Sequence, residues 1–211
     1  MAGGGGALHF YHIDKRLAVR AEELCRRIDE VRPGLLFIHP YYGVDTWKAV
    51  RPLFRGWKAQ GICIMEDVTQ SYYLDGAGAE ADYVVGSLRK WYPVPDGGFV
   101  ASKEWIPDKW LEGEAAYVKM RLEALEEKWR YLNGAGSSVS VSKSLEERQK
   151  IKAKFLEKNR EAEGELDRFQ GITGLSHTAE HILKGTDEEA AKERRRENYR
   201  YLYGKLCGKT R

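Results

Sequence analysis

Cysteine is scarce in this chain. Cys25, Cys63 and Cys207 are the only three, widely spaced and without a C-x-x-C pair, so the sequence carries no sign of a disulfide framework. Two of them fall on apolar faces, the expected state of buried free thiols in a reducing, cytoplasmic setting. Long apolar runs are missing as well: no stretch approaches a membrane span, and Met1-Ala2-Gly3-Gly4-Gly5-Gly6 lacks the apolar segment of a signal peptide. Neither sign of charge is in excess. Lys and Arg total 35 against 32 Asp and Glu, a net charge of +3, which makes no case for a nucleic-acid partner. Six Trp and twelve Tyr add aromatic surface, but no basic groove accompanies them. What remains is the composition of a soluble α/β protein, and 211 residues can bury roughly 70% of their unfolded surface.

The first two-thirds of the chain alternate strand and helix. Leu8-His9-Phe10-Tyr11-His12-Ile13 reads as a short strand after a flexible glycine start (residues 1–7). Leu17, Ala21, Leu24, Ile28 and Val31 then recur at helical spacing on one face, and Pro33-Gly34 ends that helix. Leu35-Leu36-Phe37-Ile38 reads as a buried strand that stops at His39-Pro40-Tyr41-Tyr42-Gly43. Asp45 or Thr46 is placed to cap a helix on which Trp47, Val50, Phe54 and Trp57 share a face. Ile62-Cys63-Ile64-Met65, Tyr83-Val84-Val85-Gly86 and Gly97 to Ser102 complete five strands. Continuous apolar strands separated by helices predict a three-layer α/β fold, a mostly parallel sheet with helices on both faces, over residues 8–111. From Glu112 to Arg211 the texture is helical, with a face of Tyr117, Met120, Leu122, Leu125 and Trp129. A break follows near Asn133-Gly134-Ala135-Gly136-Ser137-Ser138, with further helices over 143–163 and 187–206.

Parallel sheets place their ligands at the carboxyl ends of the strands. His39, Asp67 and Lys90 each lie at or just after such an end, so the topology brings them toward one edge. An amine after one strand and a carboxylate at the end of another suit a cofactor with both an aldehyde and a basic ring nitrogen, which is pyridoxal phosphate (PLP).

The order of these residues adds a more specific signal. Glu66-Asp67-Val68-Thr69-Gln70-Ser71, then Ser87-Leu88-Arg89-Lys90, then Asp96-Gly97-Gly98 resembles the core of fold-type I PLP enzymes, and most of all the DegT-type sugar aminotransferases. That resemblance implies a Schiff base on Lys90, which also shuttles a proton, and pairing of Asp67 with the pyridine nitrogen. Gln70 would lie near the ring hydroxyl, Ser87 on the phosphate, and His39 in an H-x-Y-G type loop beside the pocket. Arg89 could meet a phosphate or carboxylate, or simply face solvent. The implied activity is amino transfer from a small-molecule donor such as glutamate to a keto-sugar nucleotide. The Ser-Leu-Arg-Lys motif also resembles that of desulfurase-like PLP enzymes, so the substrate stays open.

The resemblance covers roughly residues 8–135, the central half of such an enzyme, with an extension to 206. The family's phosphate-cradling helix start and its small domain have no counterpart in this sequence, so the chain is expected to be a fragment, a split product or a truncated relative. Family members are dimers with sites at the interface, which implies a homo-oligomer or a complementing chain. The alternative is a catalytically inactive remnant of the fold acting as an interaction or assembly module. The enzyme reading expects a partly desolvated Lys90, the module reading a solvated one.

Two further motifs have plainer readings. His177-Thr178-Ala179-Glu180-His181 spells H-x-x-E-H, whose two histidines would share a helix face, but no clear third zinc ligand follows, and no metal site is expected. Lys192-Glu193-Arg194-Arg195-Arg196-Glu197 interleaves acids with bases and reads as a solvated helix face. Gly208-Lys209-Thr210 lacks the upstream glycine of a phosphate loop.

Overall fold

A computed structural model describes residues 6–106, 116–134, 145–169 and 171–207. The first five residues of the glycine-rich start, the 135–138 part of the expected helix break, and Gly208-Lys209-Thr210 lie outside the described residues. The chain divides into two compact units, one within Met1–Lys90 and Gly98–Pro107, the other within Trp91–Gly97 and Asp108–Arg211.

The first unit is built on a four-stranded sheet. Its strands β1 (Leu35–Ile38), β2 (Cys63–Asp67), β3 (Tyr83–Ser87) and β4 (Gly98–Ser102) lie side by side in sequence order. The first three run parallel, with Ile38 opposite Glu66 and Asp67 opposite Val85. β4 returns antiparallel to β3, Gly86 facing Phe99 and Ser87 facing Gly98.

Helices α1 (Ala21–Val31) and α2 (Phe54–Ala59) accompany the sheet. Leu24 and Ile28 of α1, Phe54 and Trp57 of α2, and Leu36, Ile38 and Ile64 of the sheet form one buried cluster with Trp47 and Val50. Alternate residues of a strand point to opposite faces, so Leu36 and Ile38 enter this core while Leu35 and Phe37 stay 48% and 46% exposed. The helices packed in this cluster cover one face of the sheet.

Four sequence expectations change here. The described helices of this unit pack on one face of the sheet, not on both, and the opposite face leaves Leu35 and Phe37 exposed. Leu8–Ile13 is not a strand, so the sheet has four strands rather than five. Ile13 makes an isolated bridge to Val19, and Leu8 and Phe10 are exposed. The first helix begins at Ala21, not Leu17: Asp14 Oδ1 accepts the amides of Arg16 and Ala18, which closes a turn, and Leu17 takes a left-handed φ of 62°. Such a side-chain turn competes with helix. The apolar face from Trp47 to Trp57 is buried as expected, but Pro52 lacks an N–H donor, and the segment splits into a turn, a 3-10 stretch at Arg51–Leu53 and the short α2.

The second unit contains α3 (Ala116–Gly134), α4 (Leu145–Arg168), α5 (His177–Lys184) and α6 (Glu188–Leu206). α3 and α4 run antiparallel, as the pairs Arg121–Glu163, Glu123–Lys158 and Glu127–Lys154 require. Tyr117 meets Phe169 at one end and Tyr131 meets Phe155 at the other. The buried positions on α3 are Val118 and Ala124, whereas Trp129, expected on its apolar face, is exposed. Asp96 is buried in this unit: its carboxylate accepts the Ser176 amide at 2.9 Å and the Ser176 hydroxyl at 2.6 Å, and Ser176 in turn caps α5 through the Ala179 amide.

Candidate functional site

The carboxyl edge of the parallel strands gathers four of the five residues singled out from sequence, and the turn after β3 carries the fifth. Asp67 is the last residue of β2, Ser87 the last of β3, His39 follows β1 directly, and Lys90 ends a 3-10 turn at Leu88–Lys90. Because Ile38 stands opposite Glu66, the next residue of each strand, His39 and Asp67, is its neighbour across the strand ends.

That adjacency is a contact. His39 Nδ1 lies 3.2 Å from Asp67 Oδ2, with the two side chains only 18% and 23% exposed. Asp67 Oδ1 accepts the Thr69 amide at 2.8 Å. The imidazole also packs edge-on against Tyr41, ring centres 4.9 Å apart. The carboxylate is thus held at both oxygens, by a backbone donor from its own loop and by a side chain from the neighbouring strand.

The loop after β2 is tied to β3. The Val68 amide donates to Val85 O at 2.8 Å, and the Ser87 amide donates to Thr69 Oγ1 at 3.0 Å. Thr69, which sequence reasoning passed over, therefore links the Asp67 side of the edge to the Ser87 side. Gln70 is half-buried, and its side-chain oxygen is buried without a hydrogen-bond partner among the described residues. A buried acceptor left alone is costly, so this oxygen is suited to a donor from a bound molecule. Lys90 is exposed.

Arg51 and Glu66 are the larger omission from the sequence reading. Glu66 is fully buried, and its two oxygens accept Arg51 Nη1 at 3.0 Å and Nη2 at 2.8 Å. Arg51 Nε meanwhile donates to both oxygens of Asp45, at 3.0 and 2.9 Å. Burial alone would lower the Arg51 pKa, but the hydrogen bonds it donates to Glu66 and then to Asp45 outweigh that and raise the pKa beyond the ordinary guanidinium range. The signal was present in the strand pattern: Glu66 follows Ile64 by two, on the covered face, where an acid needs a cation.

The other motifs are accounted for in the second unit. In H-x-x-E-H, His177 and His181 are exposed, and Glu180 pairs with Lys184 at 2.6 Å. No cluster of three metal-ligating side chains occurs among the described residues. In the basic run, Arg194 pairs with Glu197 and Arg196 with Glu193, while Arg195 lies over the Trp91 ring at 4.8 Å and donates to Trp91 O. These pairings fit a solvated helix face. Cys25 and Cys63 are half-buried rather than buried, and Cys207 is exposed. No described helix is long and apolar enough to cross a membrane.

No protein-family model matches the chain, and no curated protein matches its sequence.

Proposed function

We propose that the carboxyl edge of β1–β3 is a PLP site of the aminotransferase type, serving transfer of an amino group to a keto acceptor of the sugar-nucleotide kind. The observation that carries this reading is the carboxylate of Asp67, fixed at a strand end by His39 and the Thr69 amide, with the lysine-bearing turn following the adjacent strand.

When bound, PLP supplies an aldehyde that captures amines and a ring that acts as an electron sink. Lys90 would hold the aldehyde end and Asp67 the ring nitrogen, where a fixed negative charge favours the protonated ring. Gln70, with its unpartnered buried oxygen, would meet the ring hydroxyl, and Ser87 the phosphate. Lys90 would also move the proton at the substrate carbon. A lysine attacks an aldehyde as the neutral amine, a form that burial favours. Lys90 is exposed, so on this reading the bound cofactor itself, or a second copy of the chain, desolvates its amine.

A second reading has its own support. The exposed Lys90 and the half-exposed Leu35 and Phe37 on the open sheet face suit an assembly module that keeps the fold without the chemistry.

Absorption spectra of the purified chain titrated with PLP, beside Lys90→Ala, separate the two. A saturable band present in the wild type and lost in the variant supports the PLP site. Spectra that superpose on free PLP in both proteins leave the module reading.

A further inference from the structure

We infer that His39 is a positioning residue for Asp67, acting on any ligand of this edge through that carboxylate and not by touching the ligand. As a statement about PLP, this rests on the site proposed above. As a statement about the His39–Asp67 pair, it stands on the geometry alone.

The geometry is specific about which ring nitrogen matters. His39 Nδ1 faces Asp67 Oδ2 at 3.2 Å. A carboxylate only accepts hydrogen bonds, so the facing nitrogen is the protonated one. Tyr41 packs edge-on against the imidazole at 4.9 Å, which restrains the ring's rotation. The Thr69 amide holds Oδ1. A carboxylate offers about four acceptor directions, so two donors fix its plane and leave acceptor capacity for a third. That third donor would be a protonated ring nitrogen. Without His39, Asp67 keeps one fixed oxygen and gains freedom to rotate about its last torsion, a broad one.

Side-chain stereochemistry gives a discriminating series. Asparagine at position 39 can place its amide N–H close to where Nδ1–H stands. Glutamine places its amide near Nε2 instead, and alanine offers nothing. A residue that merely fills space would not separate asparagine from glutamine in this way.

Two measurements on the full chain test the inference. The first needs no ligand: nitrogen NMR of the His39 ring in the wild type and in Asp67→Ala. The Nδ1–H tautomer is expected in the wild type and is expected to be lost in the variant. An Nε2–H tautomer in the wild type, or a tautomer indifferent to Asp67→Ala, overturns the pairing. The second uses PLP labelled at its ring nitrogen. His39→Ala and His39→Gln are expected to weaken binding about tenfold, the scale of a lost hydrogen bond to a charged group, and to shift the ring nitrogen toward its unprotonated signal. His39→Asn is expected to stay close to wild type on both counts. Equal behaviour of the asparagine and glutamine variants, or an unchanged alanine variant, overturns the positioning role. If the wild type shows no Lys90-dependent PLP signal at all, the proposed PLP site fails, and the tautomer result still decides the His39–Asp67 pairing.

Discussion

Arg51 joins two carboxylates: it gives both terminal nitrogens to the fully buried Glu66 and its Nε to Asp45. This clamp ties the segment ahead of α2 to the end of β2, one residue before Asp67. Removing one member of a buried pair strands the other charge, at a cost of about 3–5 kcal/mol. Arg51→Met is therefore expected to lower unfolding stability by about that much in a urea titration. The double variant Arg51→Met/Glu66→Leu, which leaves no buried charge on the strand, is expected to lose less than Arg51→Met alone. A double variant worse than the single one would mean that the pair stabilises the fold outright.

Gly86 and Phe99 face each other across β3 and β4, and a Cβ at position 86 would come within 2.6 Å of the Phe99 ring. Gly86→Ala is expected to cost about 1–3 kcal/mol, the range for overpacking. Phe99→Leu in the same chain should recover part of the loss. Thermal unfolding of the two variants, read together, checks it.

Tyr11 is expected to shape the alkaline limb of the stability profile. Burial, and secondarily the nearby Tyr41, push its phenol from 10.0 up to about 12. Its folded-state pKa is raised, so its contribution is complete below the unfolded value near 10.0 and fades as pH climbs toward about 12. Tyr11→Phe removes the ionisation and is expected to flatten the loss of stability across that window. Denaturant midpoints at several alkaline pH values, wild type against variant, measure the difference. Parallel profiles would show that Tyr11 does not set this limb.

In the second unit, Asp96 and Ser176 are both buried and bonded twice, 80 residues apart in sequence. Asp96→Ala leaves the Ser176 amide without its acceptor and is expected to cost about 1–3 kcal/mol. Ser176→Ala removes the α5 cap as well, about 1 kcal/mol by itself. A double-mutant cycle should return a coupling of about 0.5–3 kcal/mol, with faster amide exchange in α5. Additive losses would show that the two residues stabilise the unit independently.

The parts of this fold that were legible in sequence are those set by local pattern. The apolar runs at Leu35–Ile38, Ile62–Met65 and Tyr83–Gly86 became parallel strands, and the buried face from Trp47 to Trp57 was visible in its spacing. Leu8–Ile13 misled because a short apolar run looks like a strand whether or not a partner strand pairs with it. The candidate site was legible to the level of strand ends. That His39 meets Asp67 depends on the register of β1 against β2, and that Thr69 reaches Ser87 depends on the path of the loop between β2 and β3. Neither is written in spacing. Arg51 lay hidden for a similar reason, since its partner Glu66 comes from a different element. Lys90, singled out by its motif, is exposed, which motif matching alone could not foresee.

Covalent trapping tests the central proposal most directly. The chain is incubated with PLP and reduced with borohydride, and its peptides are mapped by mass spectrometry. The expected result is a pyridoxyl group on Lys90 in saturable preference to the other lysines, and much reduced in Asp67→Ala. Labelling spread evenly over exposed lysines, and indifferent to Asp67→Ala, would contradict a PLP site at this edge.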